Sequence, residues 1–132
     1  MDLPKLALGR DLLSDVNSAL SKEWLVTNGL GGYSSSTVLG VNTRKYHGLL
    51  VAAFNPPVNR WLLLSKLDET LKIGNNKFEF GANEFKDVTY PRGFQFLSDF
   101  VLSPLPVSTY AVNCVTLQKI VFMPHMKNAT AV

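Results

Sequence analysis

From Glu23 onward the chain carries short apolar segments broken by turn residues at nearly regular intervals. Glu23–Thr27 reads as a short strand, and Asn28-Gly29 ends it as a strong turn dipeptide. Tyr33–Val41, rich in Ser, Thr and Val, reads as the next strand. His47–Phe54 is apolar on both faces, as in a central strand, and Asn55-Pro56-Pro57 stops it. Arg60–Leu71 reads as one long strand, and Ile73–Phe80 as a hairpin around Gly74-Asn75-Asn76. Phe94, Phe96 and Leu97, then Phe100, carry a further apolar segment. Tyr110–Thr116 and Leu117–Met123 add two strands. Helical spacing occurs once, in Asp11–Leu20: Leu12, Leu13, Val16, Ala19 and Leu20 share one face behind Asp11 as N-cap. No βαβ alternation, repeat or low-complexity tract interrupts this plan. The pattern predicts a mainly β protein, an antiparallel β-sandwich with one short N-terminal helix.

Composition narrows the class. The chain has 132 residues, 46% hydrophobic and 17% charged, the balance of a single globular unit or part of one. The net charge of +3 is scattered, with no basic stripe or arm, so nucleic acid is not an expected partner. No apolar run approaches a membrane span, and the N-terminus is not a signal peptide, so the expected location is cytoplasmic without membrane attachment. The Asn128-Ala129-Thr130 sequon then carries no meaning. The single Cys114 allows no intrachain disulfide and is expected to be buried and inert in its strand.

The polar chemistry concentrates in Trp24–Ala53, where a glycine-rich turn precedes Asn42, Arg44, Lys45, Tyr46 and His47. A dinucleotide-binding loop would need glycine where Ser34 stands and a helix afterwards. A phosphate loop would need a Gly-Lys-Ser/Thr end. The loop is therefore either a turn needing positive φ or a place where backbone approaches a ligand. An extended Arg44–His47 would point Arg44 and Tyr46 one way and Lys45 and His47 the other. Charged, amide and aromatic groups together suit a sugar, and a solvated turn with His47 held by backbone is the alternative. Two histidines, His47 and His125, without carboxylate spacing imply no metal, and no nucleophile motif occurs.

Sugar hydrolysis needs two carboxyls facing one cleft, about 5–10 Å apart. Asp68 and Glu69, adjacent on a predicted strand, face opposite sides. Glu23, Glu79, Glu84, Asp87 and Asp99 are scattered and read as solvated surface. No catalytic residue is assigned, and no cofactor is implied. Trp24 and Trp61 are both expected in the core.

The run "EWLVTNGLGGYSSSTVLGVNTRKYHGLLVAA", with "RWLLLSKLDETL" and "YPRGFQFLSDFVLSPLP", resembles the N-terminal domain of bacterial and archaeal glycogen debranching enzymes of the amylo-α-1,6-glucosidase type. The resemblance runs from about Glu23 to the C-terminus. "EWLVTNGLGGY" and "TRKYHGLL" are its most specific parts, and Gln118 stands where an acidic residue is commonplace in the family. It implies a β-sandwich preceding a separate (α/α) barrel that holds the hydrolytic acid and base, with the sandwich packed on that barrel. Residues 1–132 are then an N-terminal domain or fragment, inactive alone. Asn28, Gly31, Gly32, Tyr33, Arg44, Lys45, Tyr46 and His47 are the residues expected to face either α-glucan or the barrel. The alternative is a stand-alone glucan-binding module. The C-terminal "VFMPHMKNATAV" reads as a hairpin without its return strand, and such an open edge would favour homo-oligomers.

Overall fold

The computed structural model describes residues 5–86 and 88–132. Its strands are β1 (Leu6–Gly9), β2 (Glu23–Thr27), β3 (Tyr33–Thr37), β4 (Gly48–Asn55), β5 (Val58–Leu64), β6 (Thr70–Ile73), β7 (Asn76–Glu79), β8 (Ala82–Phe85), β9 (Val88–Arg92), β10 (Leu97–Leu102), β11 (Pro106–Val112) and β12 (Val115–Ile120). They form two four-stranded antiparallel sheets, β1-β10-β11-β12 and β2-β3-β4-β5, and two hairpins, β6-β7 and β8-β9. Leu8, Phe100, Tyr110 and Val112 of the first sheet share one buried cluster with Trp24 and Leu49 of the second. Val38, Leu39 and Val41 join it from the loop after β3. Phe100 has no exposed surface, and burial of such a side chain stabilises by about 2–3 kcal/mol. Phe80 stacks obliquely on Tyr110, with ring centroids 5.1 Å apart, and seats the hairpins on this core.

Several boundaries differ from the pattern-based reading. The single helix is two, α1 (Arg10–Leu13) and α2 (Val16–Leu20). Asp15 breaks it by adopting an extended backbone and accepting a hydrogen bond from Ser18 N at 3.3 Å, which caps α2. Gly9, not Asp11, is the N-cap of α1. β3 ends at Thr37, whose Oγ1 donates to Val41 O at 2.7 Å and accepts from Val41 N at 3.1 Å. That clasp folds residues 38–41 into the core instead of extending the strand.

The long strand Arg60–Leu71 is β5 and β6 with Ser65–Glu69 between them. Lys66 Nζ donates to Asn83 Oδ1 at 3.0 Å and to Ala82 O, and Lys119 Nζ donates to Leu67 O at 3.1 Å. These long-range contacts bend the chain where its local pattern continues. The β11–β12 turn falls at Asn113-Cys114, where Asn113 supplies the positive φ of a two-residue hairpin loop. Cys114 is therefore exposed, not buried in a strand. Phe94 and Phe96 lie in a 3-10 turn, Gly93–Phe96, before β10.

Trp61 also departs from expectation. It pairs with the fully buried Ala52, yet it is 60% exposed because β5 is an edge strand that the first sheet does not cover. Val58, Leu62 and Leu63 of β5 and Phe54 of β4 are exposed as well. The C-terminal segment does return, by a single antiparallel bridge, Phe122 to Ala131. The Asn128 side chain clasps Ala53, its Oδ1 accepting from Ala53 N at 3.1 Å and its Nδ2 donating to Ala53 O at 2.9 Å. No helix among the described residues is long and apolar enough to cross a membrane.

Candidate functional site

The glycine-rich turn is built around Asn28, which is fully buried. Its Oδ1 accepts from Leu30 N at 2.9 Å and Gly32 N at 3.1 Å. Its Nδ2 donates to Lys127 O at 3.0 Å and Asn128 Oδ1 at 3.1 Å. The amide's two donors and two acceptor sites are thus all used. Gly31 has φ +96°, and a Cβ there would lie 2.5 Å from Pro57 O. A Cβ on Gly32 would lie 2.6 Å from Asn28 Nδ2. The turn is therefore pressed against its own chain on both sides. Asn28, Gly31 and Gly32 act as the frame of the site, with β3 leaving directly from it.

The polar cluster after β3 is a turn. His47 N donates to Arg44 O at 3.1 Å, so the alternation of an extended segment does not apply. Arg44 and His47 fall on the same side, against Glu23 of β2. Glu23 accepts from Arg44 Nε, and that hydrogen bond holds its carboxyl below the usual range. Glu23, read from sequence as solvated surface, is the partner of this cluster. His47 is buried and its Nδ1 accepts from Thr43 N at 3.1 Å and Arg44 N at 3.3 Å, which leaves its proton on Nε2, 3.6 Å from Glu23 Oε1. Burial pushes the imidazole below its ordinary pKa in spite of the nearby carboxylate.

Both groups make the turn acid-sensitive. His47 is neutral when folded and binds a proton more readily when unfolded, so its contribution is complete above about pH 6.5 and declines below it. Glu23, depressed by Arg44, contributes above about pH 4.5 and is lost as pH falls through its lower folded value. The melting temperature is expected to fall in two stages between pH 7 and 3. Glu23→Gln should remove much of the later stage and deepen the earlier one, because the carboxylate that favours a protonated His47 is gone. Identical pH profiles for Glu23→Gln and the parent chain would refute this account.

Lys45 turns the other way, and Tyr46 borders both sides. Lys45 Nζ sits 5.8 Å from the centroid of the Tyr46 ring, and Tyr46 is 69% exposed. Tyr33 Oη donates to Tyr46 O at 2.9 Å, fixing the turn to β3. Burial raises the pKa of the Tyr33 phenol, so it stays a donor. These three residues line a cleft of about 850 Å³ whose far wall is β5, through Val58, Asn59, Arg60 and Leu62, over a floor of Val51. Arg60 Nε donates to Gly31 O at 2.6 Å, which ties the far wall to the glycine turn. The volume lies in the range of small-molecule sites.

The family model described as glycogen debranching enzyme N terminal matches residues 22–132. The chain belongs to that family. No curated protein and no solved structure matches it. The matched span contains the glycine turn, the polar turn and both walls of the cleft, and it leaves out α1 and α2.

Of the eight residues expected from sequence, Tyr33, Lys45 and Tyr46 meet in the cleft. Arg44 and His47 lie behind it with Glu23, and Asn28, Gly31 and Gly32 frame it. Asn59 and Arg60 were missed. The Pro56-Pro57 loop could have shown them, since a hairpin there pairs Ala53 with Arg60 and brings β5 beside β4. Asp68 and Glu69 do not lie on a strand. Asp68 pairs with Lys66 at 2.9 Å and Glu69 pairs with Lys119, both away from the cleft. Asp87 lies outside the described residues. Among the described residues, no three His, Cys, Asp or Glu side chains converge on a metal position.

Proposed function

We propose that this domain is the accessory N-terminal part of a cytoplasmic α-1,6-glucosidase that debranches glycogen. In this reading it packs on a catalytic (α/α) barrel and presents its cleft to α-glucan, with the bond-breaking acids on the barrel. One observation carries it. The cleft offers two tyrosines, a lysine, an asparagine and an arginine, and no carboxylate among the described residues lines it. A pyranose has an apolar C–H face and a rim of hydroxyls. An aromatic ring covers the first, and planar amide and guanidinium groups bind the second. Glycoside hydrolysis needs two carboxyls instead, so the cleft is equipped to hold a glucan and not to cleave it.

Trp61 and Leu63 of β5, with Phe54, are exposed and lie outside the cleft lining, and they supply the surface for packing on the barrel. Titration with maltoheptaose tests the glucan part. Saturable binding to the chain is expected, weakened about fivefold in Tyr46→Ala, since one stacked aromatic contributes about 1 kcal/mol. Equal affinity of Tyr46→Ala and the parent would reject this cleft as the site. Glucosidase activity of the 132 residues alone would reject the accessory role. Binding by the chain with no rescue of activity when the barrel is added in trans would favour the second reading, a stand-alone glucan-binding module.

A further inference from the structure

A second groove lies away from the cleft, between the β6-β7 hairpin and the segment from β9 to the 3-10 turn. It holds about 430 Å³ and is lined by residues that include Lys77, Phe78, Glu79, Tyr90, Arg92 and Gln95. Phe78 and Phe96 meet edge to face, with centroids 6.0 Å apart, and make an apolar floor. Tyr90 stands at the rim, 63% exposed. Lys77 Nζ and Glu79 Oε1 are paired at 2.7 Å on the same side of β7. Arg92 is held over the Phe94 ring at 5.4 Å, so its guanidinium does not roam free.

We propose that this groove is a second oligosaccharide-binding site, with Tyr90 as the stacking platform and Glu79, Arg92 and Gln95 as hydroxyl partners. Sugar hydroxyls both donate and accept, and the groove offers both functions around one ring: Glu79 accepts, Arg92 donates, and the Gln95 amide does either. A phosphate-bearing ligand fits less well, because the Glu79 carboxylate faces the same space. A protein partner fits less well too, since interfaces are depleted of Lys and Glu and this groove carries Lys77 and Glu79. The choice of α-glucan as the sugar rests on the function proposed above.

Two sites on one small domain suit a branched polymer. A chain end bound in one raises the local concentration of neighbouring chains at the other, so retention on glycogen exceeds the affinity for a short oligosaccharide.

The test is a maltoheptaose titration of the full chain, followed by amide NMR, with Tyr46→Ala and Tyr90→Ala beside the parent. Both tyrosines are exposed, so both variants are expected to fold. The parent should show two groups of shifting amides, one around Lys45 and Tyr46 and one around Lys77 and Gln95. Tyr90→Ala should abolish the second group and leave the first. It should also weaken retention on glycogen more than it weakens maltoheptaose binding at the remaining site. Shifts confined to the Lys45–Tyr46 region would overturn the second site and leave the first cleft standing. Shifts confined to the Lys77–Gln95 region would support the second site and overturn the first. Absence of any shift at millimolar ligand would overturn both.

Discussion

Asn28→Ala is expected to destabilise the protein by about 4 kcal/mol, and to lower its melting temperature by roughly 10–20 °C. The substitution removes four hydrogen bonds at a fully buried position. It orphans the N–H groups of Leu30 and Gly32 and the carbonyl of Lys127, and it leaves a void. The unsatisfied N–H of the buried Gly32 costs about 1–3 kcal/mol, the void adds to it, and water reaches the half-buried Leu30 and exposed Lys127 groups and recovers part of their loss. Asn28 joins the glycine turn to the C-terminal segment, and Met126 N also donates to Asn28 O at 2.6 Å. Hydrogen exchange should therefore show Gly32 and Met126 losing protection together. A melting temperature within about 2 °C of the parent would show that Asn28 does not hold the two segments.

Gly31→Ala should cost about 3 kcal/mol or more, read by guanidinium unfolding. Two effects add. At φ +96° an L side chain costs about 1–2 kcal/mol, and the new Cβ would lie 2.5 Å from Pro57 O, a backbone atom that cannot swing aside. Gly40 separates the two. It has φ +74°, and a Cβ there would meet nothing within 4 Å, so Gly40→Ala should cost only about 1 kcal/mol. Comparable losses in the two variants would mean that the Pro57 contact is relieved cheaply. Because Arg60 bonds to Gly31 O, Gly31→Ala should also loosen the far wall of the cleft and weaken maltoheptaose binding.

These two positions show how the site is divided. The glycine turn is tied to its own chain by Asn28 and by the Pro57 backbone, so it is rigid scaffold. The side chains that line the cleft come from β3, the polar turn and β5, over Val51 of β4. Arg44 and His47, which read as binding groups, secure the turn to Glu23 and so keep Lys45 and Tyr46 in place. Tyr33 does both jobs, with its ring in the cleft wall and its hydroxyl on the Tyr46 carbonyl.

The chain by itself determined the class of fold, because period-two apolar segments between Gly, Asn and Pro signals can bury their surfaces only as antiparallel sheets. It also determined the family, through motifs whose residues stay close in sequence, and the place of the polar cluster between β3 and β4. Tertiary structure decided what local pattern cannot carry. Whether an apolar strand is covered depends on a distant sheet, so Trp61 is exposed although its strand looks internal. Where a strand stops depends on long-range bonds such as Lys119 to Leu67, so one apparent strand became β5 and β6. Which polar groups share a cleft depends on sheet register: β4–β5 pairing sets Arg60 and Asn59 opposite Lys45 and Tyr46, and a turn closed by His47 sends Arg44 to Glu23.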